Sequence, residues 1–206
     1  MASRLRVAVL ASGRGSNLQS ILDVTAGPEF PAEVVLVVSD RAGTLALDRA
    51  RRHGITAVAL DPKAYGEREA YDRALGALLE EHSVGLVCLA GFMRVLGAAF
   101  VQAFAGRILN IHPSLLPAFP GLGAQRQALD YGVKIAGATV HLVDEGVDTG
   151  PIVLQASVPV LPGDTEASLS ARILAEEHRL YPEAIRLFAM GRLRIVGRRV
   201  FEETTA

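Results

Sequence analysis

At 206 residues, half of them hydrophobic and 21% charged, the chain has length for one domain with a substantial core and is too apolar to be disordered. A net charge of −1 without any basic block argues against an electrostatic nucleic-acid binder, and the basic tail RLRIVGRRV reads as a solvated terminal hairpin. The single cysteine, Cys88, excludes an internal disulfide, suits a reducing cytoplasm and reads as a small buried hydrophobe, while the N-terminal apolar stretch is too short for a signal peptide or membrane span.

LRVAVLAS is a short β-branched run and predicts a buried strand, broken by Gly13 and Gly15. SNLQSILDV follows with capping residues and helical spacing. AEVVLVVSD repeats the strand pattern, and LALDRARRHG is a helix stopped by Gly54. TAVAL is a third strand, Pro62 to Gly66 a loop, and REAYDRALGALLEEH an amphipathic helix. VGLVCLA, VLGAAFVQAF and GRILNIH predict strand, short helix and strand. Strands apolar throughout are buried on both faces, as in a parallel sheet covered by helices. Beyond residue 121 the texture changes. GAQRQALDYG is a helix, and KIAGATVHLVD and GPIVLQASVPV alternate like an antiparallel pair. A long helix runs from TEASLS to AMG with Thr165 as its N-cap, and RLRIVGRRVFE closes a hairpin. The fold class is α/β: a Rossmann-like, open, mostly parallel sheet with helices on both faces and a mixed C-terminal half. One domain spans 1–206, with a phosphate-binding half over about 1–105 and a catalytic half over about 106–206, and no Pro/Gly-rich linker between them.

The first strand–helix turn, ASGRGSNLQS, lets the backbone approach a ligand at Gly13 and Gly15. It sets the amides of Gly15, Ser16 and Asn17 at a helix N-terminus, where the dipole favours an anion. An ordinary glycine-rich turn with Ser16 as helix cap explains the same letters. A Walker loop is excluded because no GK[ST] follows, and a dinucleotide fingerprint lacks its third glycine, since Leu18 stands there. Asp40 after the second strand keeps a dinucleotide enzyme as a weak option, but a small phosphate monoester fits better.

Asn110 and His112 lie two apart on a strand ending at Pro113, so they share a face, and Pro113 and Pro117 stiffen the segment leaving that strand. Asparagine donates without exchanging protons, and histidine does both. Together they suit an oxygen that becomes an oxyanion while a proton moves, although NxH alone reads first as a rigid turn with a solvated histidine. The stretch VHLVDEGVDTGPIV adds Asp144, Glu145 and Asp148. It is either an acidic hairpin loop or the source of a carboxylate that meets His112 and favours its charged form. In a sheet of this class, all three stretches can reach one strand-end crevice. No cysteine pair or HxxxH spacing points to a metal. His53 and His82 end helices and read as solvated, and His141 reads as packed within its strand or behind the site.

VLASGRGSN, LAGFMRVL, LNIHPSLLPAFPG, VHLVDEGVDTGPIV and AEEHRLYP, in this order over about residues 5 to 195, together resemble the folate-dependent formyltransferases that act on glycinamide ribonucleotide in purine synthesis. The resemblance implies 10-formyltetrahydrofolate as formyl-donor co-substrate, no metal, no nucleic-acid or membrane partner, a monomer or homodimer, and a cytoplasmic enzyme. It implies Gly15, Ser16 and Asn17 as the loop for the substrate's 5′-phosphate, with Pro113 and Glu177 as further substrate contacts. Asn110, His112 and Asp148 become the catalytic trio, with Asp148 raising the pKa of His112. Met93, Arg94, Val95 and Leu96 line the folate pocket with Asn110 and Asp148, Arg68 meets the glutamate end, and Val143 and Asp144 belong to a loop closing over the pterin. Each has a plainer reading: Arg68 solvated, Met93 and Leu96 in the core, Glu177 and His178 on a polar helix surface. Gly123-Ala124-Gln125 departs from the histidine-containing segment of many relatives.

Rival expectations are a formyltetrahydrofolate hydrolase, a methionyl-tRNA formyltransferase and a non-catalytic phosphate- or folate-binding sensor. A first strand beginning by Leu5 leaves no room for the hydrolase's N-terminal domain. The chain's end soon after the long helix leaves none for the C-terminal domain of the tRNA enzyme. A sensor has no need to keep Asn110, His112 and Asp148 together.

Overall fold

A computed structural model describes residues 3–203. The chain divides into two compact units, one ending at Leu109 and one beginning at Asn110. Together their elements make an α/β fold built on a mostly parallel sheet.

The first unit contains β1 (Leu5–Leu10), α1 (Ser16–Thr25), β2 (Ala32–Ser39), α2 (Leu45–Arg52), β3 (Thr56–Ala59), α3 (Arg68–Glu81), β4 (Leu86–Leu89) and α4 (Ala98–Ala103). Its strands run in the order β3-β2-β1-β4, each pair parallel. Val7 to Leu10 and Leu86 to Cys88 are fully buried, which is why these strands show no alternation. The order reverses at β1, which has β2 on one side and β4 on the other. The loop leaving β1 therefore sits at the switch point where open α/β sheets take their ligands. Gly54 stops α2 as expected, in the left-handed region at φ +69°. The loop expected after β3 contains one 3-10 turn, Pro62–Ala64, capped by the Asp61 side chain.

The strand β5 (Ile108–His112) begins in the first unit and ends in the second. The second unit then contains α5 (Ala124–Tyr131), β6 (Ile135–Leu142), β7 (Ile152–Pro159), α6 (Glu166–Ala189), β8 (Leu193–Val196) and β9 (Arg199–Glu202). β6 and β7 are antiparallel, with Thr139 opposite Gln155. β9 joins β7 in parallel at Ile152 and Arg199 and closes the terminal hairpin with β8. Two of the hairpin's four arginines are answered from nearby: Arg192 pairs with Glu202 at 2.7 Å and Arg194 with Glu203 at 2.7 Å.

β6 corrects one expectation. It is buried from Ala136 to Leu142 and does not alternate. Its two polar residues inside, Thr139 and His141, are buried because each has hydrogen-bond partners there. α6 packs on both β6 and β7 and continues through Pro182. Proline removes one helical N–H, but Leu180, Tyr181, Ala184 and Ile185 around it are buried, and that packing holds the turn together.

The start of α6 is a reciprocal capping box. Thr165 Oγ1 accepts the Ser168 N–H at 3.2 Å, and Ser168 Oγ accepts the Thr165 N–H at 3.0 Å. Before it, Asp164 takes two hydrogen bonds from Arg172 at 2.9 Å, which with the Leu161 N–H and Ser168 hold its carboxyl far below the usual range. Thr165→Ala should cost about 1 kcal/mol, read as a lower urea midpoint at unchanged slope.

Candidate active site

The segment after β5 cannot pair as helix or sheet, yet its backbone is satisfied by side chains. Thr139 Oγ1 donates to the Ser114 carbonyl at 2.7 Å and accepts the Leu116 N–H at 3.1 Å. Gln155 Nε2 donates to the Leu116 carbonyl and to Thr139 Oγ1, both at 2.9 Å. One buried hydroxyl thus uses its donor and both lone pairs. Ser114 Oγ reaches the Ala118 carbonyl at 2.5 Å. The prolines limit the segment and these bonds fix it, so Asn110 and His112 project from a strand end whose exit cannot drift.

His112 is 5% exposed. Its Nε2 lies 2.9 Å from the Phe119 carbonyl oxygen, and its Nδ1 lies 3.3 Å from Asp148 Oδ2. A carbonyl only accepts, so Nε2 carries a proton. Nδ1 is the ring atom left facing the carboxylate, which would accept from an N–H there. Phe119 aims its carbonyl from φ 54°, a left-handed conformation uncommon for a bulky side chain. Asp148 also sits at φ 54°, where aspartate is tolerated better than most residues.

Asp148 is the centre of the cluster. Oδ2 accepts the Gly121 N–H at 2.7 Å, and Oδ1 lies 3.3 Å from Asn110 Nδ2 and 3.5 Å from His141 Nε2. His141 Nε2 faces both an amide donor and a carboxylate acceptor. Its Nδ1–H donates to the Leu142 carbonyl at 2.8 Å, and its Nε2 lies 3.0 Å from Asn110 Nδ2. Burial alone would push the Asp148 carboxyl up. The contact with the His141 ring, the Gly121 N–H and the nearby His112 outweigh it and hold the carboxyl below its ordinary 3.8.

The sequence offers His141 as packed within its strand or behind the site, and marks none of Thr139, Gln155 and Gly121. The signal for His141 and Thr139 was a polar residue inside a strand that the fold buries, while Gln155 lies exposed on β7. Of the acidic loop, Asp148 reaches His112, while Asp144 turns inward: its Oδ1 accepts the Gly146 N–H at 3.1 Å and the Thr149 hydroxyl at 2.6 Å. Glu177 is 7% exposed, which removes the reading of a solvated helix surface. Gly123, at φ +69°, is the N-cap of α5, and Ala124 behind it is buried. A side chain at 123 would be strained at this φ, and a larger one at the buried 124 position would be crowded. A cavity of about 370 Å³ lies beside the segment, lined by Pro113, Phe119, Tyr131 and Ile135 among others. It is apolar, and Asn110, His112 and Asp148 do not line it.

In the first unit, Gly15 caps α1 in the left-handed region with no side-chain cap, so the expected Ser16 cap is instead the first helical residue. A Cβ at Gly15 would sit 2.9 Å from Ala46 Cα, so glycine is required here for close packing as well as for the turn. Leu18, which takes the place of a third fingerprint glycine, is fully buried, and Asp40 pairs with Arg41 at 3.6 Å. The segment 93–97 is tied at both ends: Met93 N–H donates to Ser12 Oγ at 2.9 Å, and Gly97 N–H to Asp72 Oδ2 at 2.8 Å. Between the ties Leu96 is buried, but Met93 is 59% and Val95 62% exposed. Arg94 stacks over the Tyr71 ring at 4.8 Å, and Arg68 opens α3, exposed. Exposed apolar side chains on so fixed a segment suit a ligand wall better than a core. Burial pushes the Asp72 carboxyl up, against the Gly97 N–H and the charges of Arg68 and Arg94. Among the described residues no group of three His, Cys, Asp or Glu could hold a metal ion, and no helix is long and apolar enough to cross a membrane.

The formyl transferase family model matches residues 5–185. The chain belongs to the formyl transferase family. It is 47% identical to the phosphoribosylglycinamide formyltransferase of Escherichia coli (strain K12) over 93% of this chain and 90% of that protein. A crystal structure of glycinamide ribonucleotide transformylase 1 from Symbiobacterium toebii superposes with a TM-score of 0.96 at 59% identity, covering 98% of this chain and 95% of that one. The trifunctional purine biosynthetic protein adenosine-3 of Drosophila pseudoobscura pseudoobscura is 51% identical over 94% of this chain, and the chain spans only 14% of its length.

A depressed carboxyl contributes stability that is present above the unfolded-state value and lost as pH falls through the lower folded value. Asp148→Asn should therefore lose about 1–3 kcal/mol at pH 7. The gap between variant and parent should narrow below the ordinary 3.8, as measured by denaturant unfolding over pH.

Proposed function

We propose that this chain is a cytoplasmic enzyme that transfers the formyl group of 10-formyltetrahydrofolate to the amine of glycinamide ribonucleotide, a step of purine synthesis. The observation that carries this reading is the meeting of an amide donor, Asn110, and a ring able to hold two protons, His112, on one half-buried carboxylate, Asp148. That is equipment for an oxyanion and a moving proton, in a chain of the formyl transferase family.

The amine attacks the formyl carbon, a C–N bond forms, and the carbonyl oxygen becomes a tetrahedral oxyanion. Asn110 exchanges its longer contact, 3.3 Å to Asp148, for that oxygen and keeps the shorter one to His141. His112 is anchored through Nε2 at Phe119, which leaves Nδ1–H to turn from Asp148 toward the developing charge. The amine's proton passes, through water or His112, to the departing folate nitrogen as its bond to the formyl carbon breaks. Asp148 keeps His112 charged through this sequence. Gly15, Ser16 and Asn17 take the 5′-phosphate at the start of α1, and Pro113 and Glu177 contact the substrate. Met93, Arg94, Val95 and Leu96 line the folate pocket, Arg68 meets the glutamate end, and Val143 and Asp144 cover the pterin. Asp144 does so through its backbone, because its carboxylate is engaged within the loop.

The test is formyl transfer from 10-formyltetrahydrofolate to glycinamide ribonucleotide, run beside a water-only control. Transfer that depends on the acceptor is expected. Hydrolysis regardless of acceptor supports a hydrolase, and binding without turnover supports a sensor. Asn110→Ala should lower kcat about 100-fold or more with milder effects on KM, since one well-aimed oxyanion donor is worth about 3 kcal/mol. Near-normal turnover in that variant contradicts its role.

A further inference from the structure

The loop from β6 to β7 must hold Asp148 at φ 54°, a conformation that a non-glycine residue keeps only when its surroundings impose it. Three features impose it here. Asp144 Oδ1 joins the two limbs of the loop, taking the Gly146 N–H and the Thr149 hydroxyl at 2.6 Å. The fit around that hydroxyl is tight, since a Cβ at Gly146 would lie 2.1 Å from Thr149 Oγ1 and one at Gly150 would lie 1.8 Å from the Leu142 carbonyl oxygen. The third feature comes from 49 residues further along. Arg198, in the turn between β8 and β9, donates from Nη2 to the Thr149 carbonyl at 2.6 Å, and β9 is itself anchored to β7 at Ile152 and Arg199.

The residue directly after Asp148 is thus held twice, through its side chain and through its carbonyl. We propose that Thr149 and Arg198 are positioning residues for formyl transfer, keeping Asp148 turned so that one carboxylate serves His112, Asn110 and Gly121 at once. The inference rests on the reading that Asp148 acts on His112. Neither residue touches the reacting atoms, and the terminal hairpin becomes part of the device that sets the site. With the ties cut, φ at residue 148 relaxes and the carboxylate swings away from its partners. The groups facing that carboxylate are His112 from β5, His141 from β6, the Asn110 amide and the Gly121 N–H. Losing them returns the Asp148 carboxyl toward its ordinary value, so the acid limb of the kcat profile moves to higher pH.

The test compares Thr149→Val, Thr149→Ser, Arg198→Gln and the Val/Gln double variant with Asp148→Asn, reading kcat, both KM values, the kcat–pH profile and Tm. A misplacement of about 1 Å costs up to about 100-fold, so Thr149→Val should lose about tenfold in kcat with KM within about twofold. Its acid limb should move up in pH, and Thr149→Ser should restore both. Arg198→Gln should act in the same direction and more weakly. Because both ties act on one peptide, the double variant should lose less than the product of the single losses. If Thr149→Val and Arg198→Gln keep kcat and pH profile while only Tm or KM changes, and Asp148→Asn is inactive, the positioning role is overturned and the proposed chemistry stands. If Asp148→Asn itself turns over normally, the reading of the site fails and this inference with it. Should Thr149→Val not fold, Thr149→Ser and Arg198→Gln carry the same comparison.

Discussion

A carboxylate with little access to water has to be surrounded by donors or it will not stay charged. Asp148 meets that condition through the Gly121 N–H, the Asn110 amide and two imidazole rings, and much of the second unit serves to keep those donors in place. The segment 113–121 brings Gly121 to it, and the Phe119 carbonyl turns His112 to face it. β6 supplies His141 from inside the sheet, and the β6–β7 loop takes a left-handed step to deliver the carboxylate. Local strain at Phe119 and Asp148 is the cost of this convergence. The hydrogen bonds of Thr139, Gln155, Asp144 and Arg198 offset it.

The same constraint accounts for the chemistry proposed. An amide and a ring that would otherwise satisfy each other at random are drawn to one acceptor. Each keeps a strong contact that fixes its orientation, Asn110 with His141 and His112 with Phe119. Each also has a longer contact to Asp148 that it can exchange for a substrate oxygen. Electrostatic preorganisation of this kind acts without rearranging the protein as charge develops.

Much of the fold was legible because its strands are apolar without interruption and its turns carry glycine where φ must be positive. β1, β2, β4 and the stop of α2 at Gly54 follow from that directly. The trio was legible as residue types and spacing, though NIHP and an acidic loop become a site only through their meeting at one carboxylate. What escaped were polar residues whose partners lie far along the chain. Thr139 looks like the outer face of an alternating strand until β6 proves buried. Asp72 looks like one more helix charge until it caps Gly97, and Arg198 looks like tail charge until it reaches Thr149. Nothing local in the sequence marks a left-handed Phe119, because the reason for it is a histidine seven residues earlier.

The central claim is that Asn110 and His112 together receive the oxygen of the tetrahedral intermediate, each exchanging its contact with Asp148 for that oxygen. The most direct measurement is a crystal structure with a stable tetrahedral analogue of the formyl-transfer intermediate. The account predicts the analogue's oxygen within hydrogen-bond distance of both Asn110 Nδ2 and His112 Nδ1, with the Phe119 carbonyl still on Nε2 and Gly121 still on Asp148. An analogue bound with that oxygen facing other groups, and Asn110 and His112 still closed on Asp148, would contradict it.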